Sequence, residues 1–269
     1  MTATDIETCG MIAPANKRDR ALDSNGAEAL KRPRQRGDGF QADAGRNLTY
    51  SLVQDLGRQI VTHLYTEENP FPVESELCRR YGVSRPVMRE AVKMLTAKGL
   101  LTARPRHGTW VQSEAKWNML DPDVLGWLLE RKFDNTLLIE FTQMRLGIEP
   151  EAAAMAALTA DTAQRQELRD AIGRMEAAER GEDDPLLSDI AFHVSILRAS
   201  NNRFFQQLTE FVETALRFSI RRTNAQKGVR LASVAEHRAV ADSILARNPA
   251  EARMHQQNLI QGALDLLTS

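Results

Sequence analysis

The sequence predicts a mainly α-helical protein, in which three N-terminal helices and a short β-hairpin precede an all-α antiparallel bundle. Two observations indicate this fold class. From Leu48 onward apolar residues recur at helical spacing, and residues 100–112 then favour two short strands around Gly108. Downstream of Trp117 the spacings are helical throughout, in long segments separated by short breaks.

The charge distribution divides the chain into segments with different properties. The 269 residues carry a net charge of −1 and are enough for two domains. Residues 47–113 contain nine Lys or Arg and six Asp or Glu, whereas residues 114–269 contain eighteen and twenty-three. A segment of charge +3 therefore precedes one of charge −5, which favours a polyanion-binding domain followed by a domain with a different role.

Composition also excludes several classes of protein. Cys9 and Cys78 are the only cysteines and are far apart, so we expect neither a disulfide framework nor a cysteine-based zinc site. No run of eighteen apolar residues occurs, and Asp5 and Glu7 are not followed by an apolar segment. These features favour neither a membrane span nor a secretory signal, so we expect a cytoplasmic protein.

Residues 1–46 lack hydrophobic periodicity and are predicted to form a disordered tail. They contain the basic cluster Lys31-Arg32-Pro33-Arg34-Gln35-Arg36. This cluster could add non-specific phosphate contacts, but seven acids offset the eight bases of the tail, which favours a solvated segment.

The first two helices follow from apolar spacing and from two prolines. A period of four residues marks an amphipathic first helix, with Leu48, Leu52, Leu56, Ile60 and Leu64. Pro70 and Pro72 then interrupt the chain. The second helix is predicted over Glu74 to Tyr81.

A tight turn at Tyr81-Gly82-Val83 is predicted to join the second and third helices. Gly82 can adopt the positive φ that ends a helix. Ser84 is placed to accept a hydrogen bond from the first amides of the next helix. That third helix is predicted from Ser84 to Lys98, where Gly99 ends it, and its inward residues are Val87, Ala91, Met94 and Leu95.

Arg85 and Arg89 are four residues apart and share one face of the third helix. Such a helix fits the major groove of DNA, where an Arg can make two hydrogen bonds to a guanine edge. Ser84 lies at the helix N-terminus, which accommodates a phosphate well. Taken alone, arginines on a helix surface are more often simply solvated.

The hairpin is predicted from Leu100 to Ala103 and from Thr109 to Gln112, as a wing beside the third helix. The basic side chains of its loop, Arg104, Arg106 and His107, would reach phosphates or the minor groove, and Gly108 permits close backbone approach. A glycine turn, a serine cap, paired arginines and a basic wing within about forty residues together predict a winged helix-turn-helix that binds DNA.

The segment Phe71 to Val111 resembles the winged helix-turn-helix of the GntR regulator family. That family joins a Leu-Pro-x-Glu opening, a Val-Ser/Thr-Arg turn, a Val-Arg-x-Ala helix and a Gly-bearing wing. The corresponding stretches here are Phe71-Pro72-Val73-Glu74, Val83-Ser84-Arg85, Met88-Arg89-Glu90-Ala91 and His107-Gly108. Many members place an Arg directly after the Glu, where this chain has Ser75, so the resemblance implies a DNA-binding regulator whose operator contacts differ there.

The chain after Trp117 predicts six or seven helices that form an antiparallel bundle, which can bury a ligand site. Asp121-Pro122-Asp123 begins the first of them, and Pro150 lies within the second, where we expect a kink. The later helices are predicted at about residues 136–157, 161–180, 185–199, 202–223, 231–246 and 249–267.

Asp189 and His193 are four apart on one helical face, and His237 lies on a later helix. A carboxylate and an imidazole on one turn can bind the same divalent ion, such as Zn²⁺, with His237 as a third ligand. Open positions would remain for water or an effector. From the residues alone, a hydrogen-bonded pair without metal is the more common outcome of this spacing.

Residues 120–265 resemble the FCD ligand-binding domain of the FadR branch of GntR regulators. In that domain an Asp-x-x-x-His pair, a His within a Glu-His dipeptide and a fourth His hold a metal. Asp189-Ile190-Ala191-Phe192-His193 and Glu236-His237 match the first three ligands. The resemblance therefore implies a metal site at Asp189, His193 and His237.

The fourth metal ligand of the family has no direct counterpart. At the family's spacing it falls at Leu259. His255 lies one helical turn earlier on about the same face and could replace it. If no metal binds, Asp189, His193 and His237 would form hydrogen bonds to an organic ligand instead.

Arg145 indicates the class of ligand. It lies on an otherwise apolar stripe, where a buried guanidinium needs an anionic partner. Glu149 is the internal candidate, and a carboxylate effector held by two hydrogen bonds is the functional one. In the family, the Arg of an Arg-x-x-x-Glu-Pro motif, here Arg145 to Pro150, often binds a carboxylate. Arg217 could add a polar contact, although a surface position is as common.

The stretch Trp117-Asn118-x-Leu120-Asp121-x-Asp123-Val124-Leu125-x-Trp127 resembles the join between domains in sugar-acid regulators of the family, especially those that respond to D-galactonate. The resemblance implies a hexonate or related sugar acid as effector. We expect a homodimer that represses by binding a palindromic double-stranded operator and releases it when the effector binds.

Two other classes of function are weaker alternatives. A metal-dependent enzyme could use Asp189, His193 and His237, but no nucleophile with a base, P-loop or dinucleotide motif accompanies them. An architectural DNA binder would need no ligand. The interior Arg145 and the polar cluster argue against it.

Overall fold

The described residues form a winged helix-turn-helix and a helical bundle. The computed structural model describes residues 38–66, 68–104, 108–131, 135–227 and 233–268. Their secondary structure is mainly helical with one two-stranded sheet, which confirms the predicted fold class. Within these residues, no helix combines the length and apolar character that crossing a bilayer requires.

The N-terminal core forms between α1 (Asp38–Val61), α2 (Glu74–Tyr81) and α3 (Arg85–Ala97). In α1, Leu52, Leu56 and Ile60 are buried, whereas Leu48 and Leu64 are 44% and 45% exposed. Each step of four residues rotates the position by about 40° around a helix of 3.6 residues per turn. Leu48 therefore turns away from the core, and Leu64 lies beyond the last turn.

In the turn between α2 and α3, the structure agrees with the prediction for Gly82 and differs from the prediction for Ser84. Gly82 ends α2 in the left-handed conformation, with φ of 65°, which confirms its predicted role. Ser84 is extended, but its side chain makes no capping hydrogen bond, so the predicted serine cap is wrong. Pro86, in the first turn of α3, has no amide to be capped and a φ already suited to a helix.

The wing is the antiparallel pair β1 (Leu101–Arg104) and β2 (Gly108–Val111). Leu101 lies opposite Val111, and Arg104 lies opposite Gly108. Leu101 is fully buried in the N-terminal core, which fixes the hairpin beside α3.

The bundle begins after a 3₁₀ turn at Glu114–Lys116. Its helices are α4 (Pro122–Arg131), α5 (Asn135–Thr159), α6 (Thr162–Glu179), α7 (Pro185–Ala199), α8 (Arg203–Gln207), α9 (Thr209–Lys227), α10 (Val234–Leu245) and α11 (Pro249–Thr268). The single helix predicted at 202–223 is thus two helices, and α5 continues through Pro150. Apolar spacing persists across Leu208, so periodicity does not reveal that break.

Two apolar cores lie within the compact unit Phe40–Ser269. The larger is inside the bundle, where α5 packs against α11 and α6 against α7. Helix α4 contributes to both: Val124, Trp127 and Leu128 belong to the N-terminal core, and Leu125 and Leu129 to the bundle core. This helix therefore connects the DNA-binding fold to the bundle.

Candidate functional site

The outer face of α3 carries two exposed arginines one helical turn apart. Arg85 and Arg89 are both exposed, whereas Met88, Ala91, Val92 and Leu95 of the same helix are buried. The Nε of Arg89 lies 3.8 Å from Oε2 of Glu74 on α2, and Ser84, also exposed, directly precedes α3. Both guanidinium groups are accessible from outside the protein, as contact with a base edge in the major groove requires.

The wing presents an exposed glycine at the start of its second strand. Gly108 has φ of 91° and pairs with Arg104 across the hairpin. The side chain of Arg104, and the whole of Arg106 and His107, lie outside the described residues. Their phosphate or minor-groove contacts therefore stay a prediction.

A hydrogen-bond network connects Tyr81, the last residue of α2, to α1. The hydroxyl of Tyr81 donates to Oδ2 of Asp55 at 2.5 Å and accepts from Nε2 of Gln59 at 2.9 Å. Burial, reinforced by Asp55, raises the pKa of Tyr81 to about 12, so the phenol keeps its proton. Apolar periodicity does not indicate this network, because Asp55 and Gln59 lie outside the apolar stripe of α1.

Three titratable side chains meet inside the bundle. Asp189 and His193 lie one turn apart on α7, and His237 lies on α10; all three are buried. Oδ1 of Asp189 lies 3.3 Å from Nε2 of each histidine. One ligand atom from each residue lies within 4.8 Å of the other two. The structure therefore brings together the three residues that the sequence suggests for a metal.

Neighbouring acceptors orient both histidine rings. Nδ1 of His237 lies 2.8 Å from the carbonyl oxygen of Ser233, and Nδ1 of His193 lies 2.9 Å from Oε2 of Glu149. Because a carbonyl and a carboxylate only accept hydrogen bonds, each Nδ1 carries a proton. In its neutral form, each ring then offers the lone pair of Nε2 toward Asp189, as metal-binding histidines do when a second residue holds them.

Two atoms at the centre of the cluster lack a hydrogen-bond partner among the described residues. They are Oδ1 of Asp189 and Nε2 of His237, and both are buried. A carboxylate oxygen that faces an imidazole lone pair at 3.3 Å is unfavourable unless a cation or a proton lies between them. Oxygen and nitrogen donors of this kind suit Zn²⁺ and similar divalent ions. The residues present therefore fit a divalent metal.

Arg145 and Glu149 form a buried ion pair beside the cluster. Nε of Arg145 lies 2.5 Å from Oε1 of Glu149, and Nη2 lies 3.1 Å from Oε2. The same Nη2 lies 3.1 Å from Nδ1 and 3.3 Å from Nε2 of His193. These nearly equal distances place it over the face of the ring rather than in its plane. The internal partner of Arg145 is therefore engaged, while the guanidinium still lines the cavity described below.

The protonation states of these buried groups depend on one another. Burial raises the pKa of Glu149, but Arg145 and His193 outweigh it and lower the pKa to about 2. Burial also opposes ionisation of Asp189, yet the neighbouring His193 and His237 hold its pKa below the ordinary range. For His193, burial and Arg145 lower the pKa, and the two carboxylates raise it by more. Both carboxylates are therefore anionic and favour a cation or proton between them.

Gln256 on α11 completes the polar network and is a residue that we did not predict. It is fully buried, and its Nε2 donates to Oε2 of Glu149 at 2.8 Å. The sequence contains a signal for it, because Ala252, Gln256 and Ile260 are four apart on the buried face of α11. A glutamine in a core position needs polar partners, and Glu149 is one of them.

A cavity of about 90 Å³ borders the cluster. Besides Arg145 and the three cluster residues, its wall includes Ser219, Ser233, Glu236, Asn258 and Leu259. Pockets for drug-sized molecules usually measure about 300–1,000 Å³. This cavity is large enough for an ion with a few waters.

Two other predicted residues lie away from this cavity. Arg217 on α9 is partly exposed and pairs with Glu213, one turn earlier, at 2.7 Å. His255 borders an adjacent cleft that shares Glu236, Asn258 and Leu259 with the cavity, and Leu259 occupies the family's fourth metal position. In the described part of the chain, the cluster thus offers three protein ligands and an aliphatic side chain where a fourth is usual.

Two family models match the chain at the places where these features lie. The model of bacterial regulatory proteins of the gntR family matches residues 48–111, and that of the FCD domain matches residues 140–262. The first match covers the winged helix-turn-helix. The second covers most of the bundle, including the buried cluster.

Known proteins with similar sequences are transcriptional regulators. The galactonate operon transcriptional repressor of Escherichia coli (strain K12) is 32% identical over 199 residues, 74% of this chain and 87% of that relative. The uncharacterized HTH-type transcriptional regulator YieP of the same organism is 35% identical over 173 residues, 64% of this chain and 74% of its own. A solved structure of Lar, which controls the expression of the Listeria monocytogenes agr system, has a TM-score of 0.55 at 16% identity. That match covers 82% of this chain and 96% of Lar, and it supports the fold alone.

Proposed function

The chain belongs to the GntR family of transcriptional regulators, in the FadR subfamily with an FCD domain, and we propose that it is a repressor controlled by a small carboxylate effector. It is a DNA-binding regulator and not an enzyme. We place the DNA-binding domain at residues 47–113, the effector-binding and dimerisation domain at residues 114–269, and the site of action in the cytoplasm. The observation that carries the proposal is the buried cluster of Asp189, His193 and His237 beside a cavity.

On the DNA side, two copies would bind a palindromic operator with half-sites about one helical turn apart. Arg85 and Arg89 would contact base edges, since they are exposed on the outer face of α3. Ser84 and Gly108, with the predicted wing residues Arg104, Arg106 and His107, would contact phosphates or the minor groove. With Ser75 where many relatives have an Arg, the two arginines of α3 carry more of the recognition.

In the bundle, Asp189, His193 and His237 would hold a divalent metal, most simply Zn²⁺. The orientation of both Nε2 lone pairs toward Oδ1 of Asp189 supports this assignment. When bound, the metal would supply a Lewis acid that attracts an anionic effector into the apolar interior. With Leu259 in place of a fourth ligand, more than one coordination position stays open.

The effector would be a sugar acid or a related hydroxy acid. Such a molecule has a carboxylate next to a hydroxyl, and a divalent metal held by Asp189, His193 and His237 would attract this pair of oxygens. Arg145, Ser233 and Asn258 line the cavity and could contact the carboxylate and further hydroxyls. The name of the galactonate operon repressor, at 32% identity, points to the same class of molecule.

Effector binding in this cavity would move the helices that surround it. The change would alter the spacing of the two recognition helices in the dimer and so release the operator.

A thermal-shift assay with a panel of sugar acids tests the proposal, with the protein purified without chelator and again after metal removal. We expect one class of acid to raise the Tm of the metal-containing protein and to have a smaller effect after metal removal. No shift with any acid would favour an architectural DNA binder. A shift that is the same with and without metal would favour direct hydrogen bonding of the effector by the three residues.

A further inference from the structure

Lys98, at the C-terminal end of α3, is held by two carboxylates at the start of α4. Its Nζ lies 2.8 Å from both carboxylate oxygens of Asp121 and 2.8 Å from Oδ2 of Asp123. The side chain is 13% exposed, and Nζ lies 5.9 Å from the centroid of the Trp127 ring. Burial lowers the pKa of Lys98, but hydrogen bonds to the two carboxylates raise it by more. The ammonium is therefore charged and turned toward α4 rather than toward solvent.

The same carboxylate of Asp121 also caps α4. Its Oδ1 accepts hydrogen bonds from the backbone N–H of Asp123 at 3.0 Å and of Val124 at 3.2 Å. The segment before α4 also contacts the end of α3, because the backbone N–H of Asn118 donates to the carbonyl oxygen of Lys98 at 3.0 Å. The end of the recognition helix α3 and the start of α4 are thus joined through one set of contacts.

A second contact fixes α4 to α1. Gln54 donates to Oδ1 of Asp123 at 2.8 Å and accepts a hydrogen bond from Nε1 of Trp127 at 2.8 Å. Gly57 lies so close to Trp127 that a Cβ on it would come within 2.3 Å of the ring. These contacts do not involve Lys98, so they would keep the winged helix-turn-helix on α4 if the Lys98 contacts were lost.

Helix α4 also touches the helix that carries part of the cavity wall. A Cβ on Gly126 would lie 3.8 Å from Cγ2 of Thr214 on α9, in ordinary contact distance. Further along α9, Ser219 and Ile220 line the cavity. A displacement of α9 would therefore reach the recognition helix through α4 and Lys98.

We propose that Lys98 is a positioning residue for operator recognition, because its contacts with Asp121 and Asp123 set the orientation of the recognition helix relative to the FCD domain. We call these three residues the Lys98 clamp. In a dimer, the clamp fixes the directions in which both pairs of recognition arginines point. The inference rests on the proposed binding of a dimer to two half-sites.

Replacement of Lys98 should break the clamp while the protein stays folded. In Lys98→Met, the two partly buried carboxylates lose their shared cation and repel each other, which loosens the end of α3 from α4. The N-terminal core and the contacts of Trp127 with Gln54 and Gly57 remain. Each DNA-binding domain would still bind one half-site, but the two domains of a dimer would no longer be held in a single relative orientation.

The test uses full-length protein and an operator obtained by selecting random duplexes with the wild type. Fluorescence anisotropy then measures affinity for three duplexes: two half-sites, one half-site, and two half-sites with about 5 base pairs, half a helical turn, inserted between them. For Lys98→Met we expect about 2- to 30-fold weaker binding to two half-sites. Binding to one half-site should be unchanged, and the penalty of the insertion should be smaller than for the wild type.

Two further variants separate positioning from simple charge. Asp121→Asn removes a negative charge, whereas Lys98→Met removes a positive one, so a plain electrostatic effect on DNA would have opposite signs. Asn preserves the helix cap. If the clamp positions the recognition helix, both Lys98→Met and Asp121→Asn should bind the duplex with two half-sites more weakly than the wild type. Arg58→Gln is the control, because it removes an exposed ion pair between α1 and α4, that of Arg58 with Glu130, and should leave affinity for all three duplexes unchanged.

Three results would overturn the inference. The first is a Lys98→Met protein with the affinity and spacing dependence of the wild type. The second is a change of affinity that has opposite signs for Lys98→Met and Asp121→Asn. The third is an equal loss of affinity for one half-site, which indicates a folding or phosphate-binding role. A wild-type protein that binds one half-site as tightly as two would overturn the dimeric mode of binding itself, and the clamp with it.

Discussion

Replacement of Glu149 by Gln is expected to destabilise the protein by about 3 to 5 kcal/mol, the usual cost of removing one partner from a buried ion pair. Glu149 is 1% exposed and accepts hydrogen bonds from Arg145 and Gln256, with Nδ1 of His193 at 2.9 Å. A neutral amide of the same shape leaves the guanidinium of Arg145, only 4% exposed, without a counter-charge.

The matched control is Glu151→Gln, two residues later on α5. Glu151 also pairs with an arginine, Arg253, but the two side chains are 51% and 44% exposed, so water can replace the lost contact. Thermal unfolding followed by circular dichroism compares the variants. We expect a Tm about 6 to 20 °C lower for Glu149→Gln and no measurable change for Glu151→Gln.

A double variant, Arg145→Met with Glu149→Leu, distinguishes lost charge pairing from lost packing. It removes both charges together, and apolar side chains of similar volume often replace a buried ion pair without loss. We therefore expect it to be more stable than Glu149→Gln. Equal Tm values for Glu149→Gln and Glu151→Gln would refute the reasoning, because they would mean that the Glu149 charge is not needed inside the bundle.

Three further predictions concern the metal, the operator and the turn. His237→Gln should lower the zinc content of protein purified without chelator well below stoichiometric, as measured by mass spectrometry, while His255→Gln should retain it; equal retention would argue against the cluster. Arg85→Ala should cost about 1 to 3 kcal/mol of discrimination between the operator and single-base variants, and a uniform loss on all sequences would indicate a phosphate contact instead. Gly82→Ala should destabilise the protein by about 1 to 2 kcal/mol in urea unfolding, because φ is 65° there, and an unchanged midpoint would contradict that strain.

Local sequence signals were sufficient for many of the helices and for the proximity of Asp189 and His193. The predicted bounds of α2 and α7 agree with the structure, and α7 begins at Pro185 after the capping side chain of Asp184. Asp189 and His193 share a helical turn, so their proximity needs only helix geometry. His237 lies on a different helix, so the residues alone made it only a candidate third ligand, and the family resemblance strengthened that prediction.

Contacts between residues that are distant in the sequence could not be predicted from hydrophobic periodicity. Whether Arg145 faces Glu149, a ligand or both depends on the surrounding helices, which a single stretch of sequence does not specify. Gln256 and the Lys98 clamp depend on contacts over 107 and 23 residues of sequence. The side chain of Ser84 could cap α3 but makes no capping hydrogen bond, because Pro86 reduces the number of amides that need a cap.

Operator affinity as a function of effector concentration tests the central claim most directly. With zinc-containing protein and the selected operator, we expect D-galactonate or another sugar acid to weaken binding in a saturable way, and metal removal or Arg145→Ala to reduce that response. Unchanged operator affinity at saturating concentrations of every sugar acid tested, by a protein that retains its metal, would contradict the account.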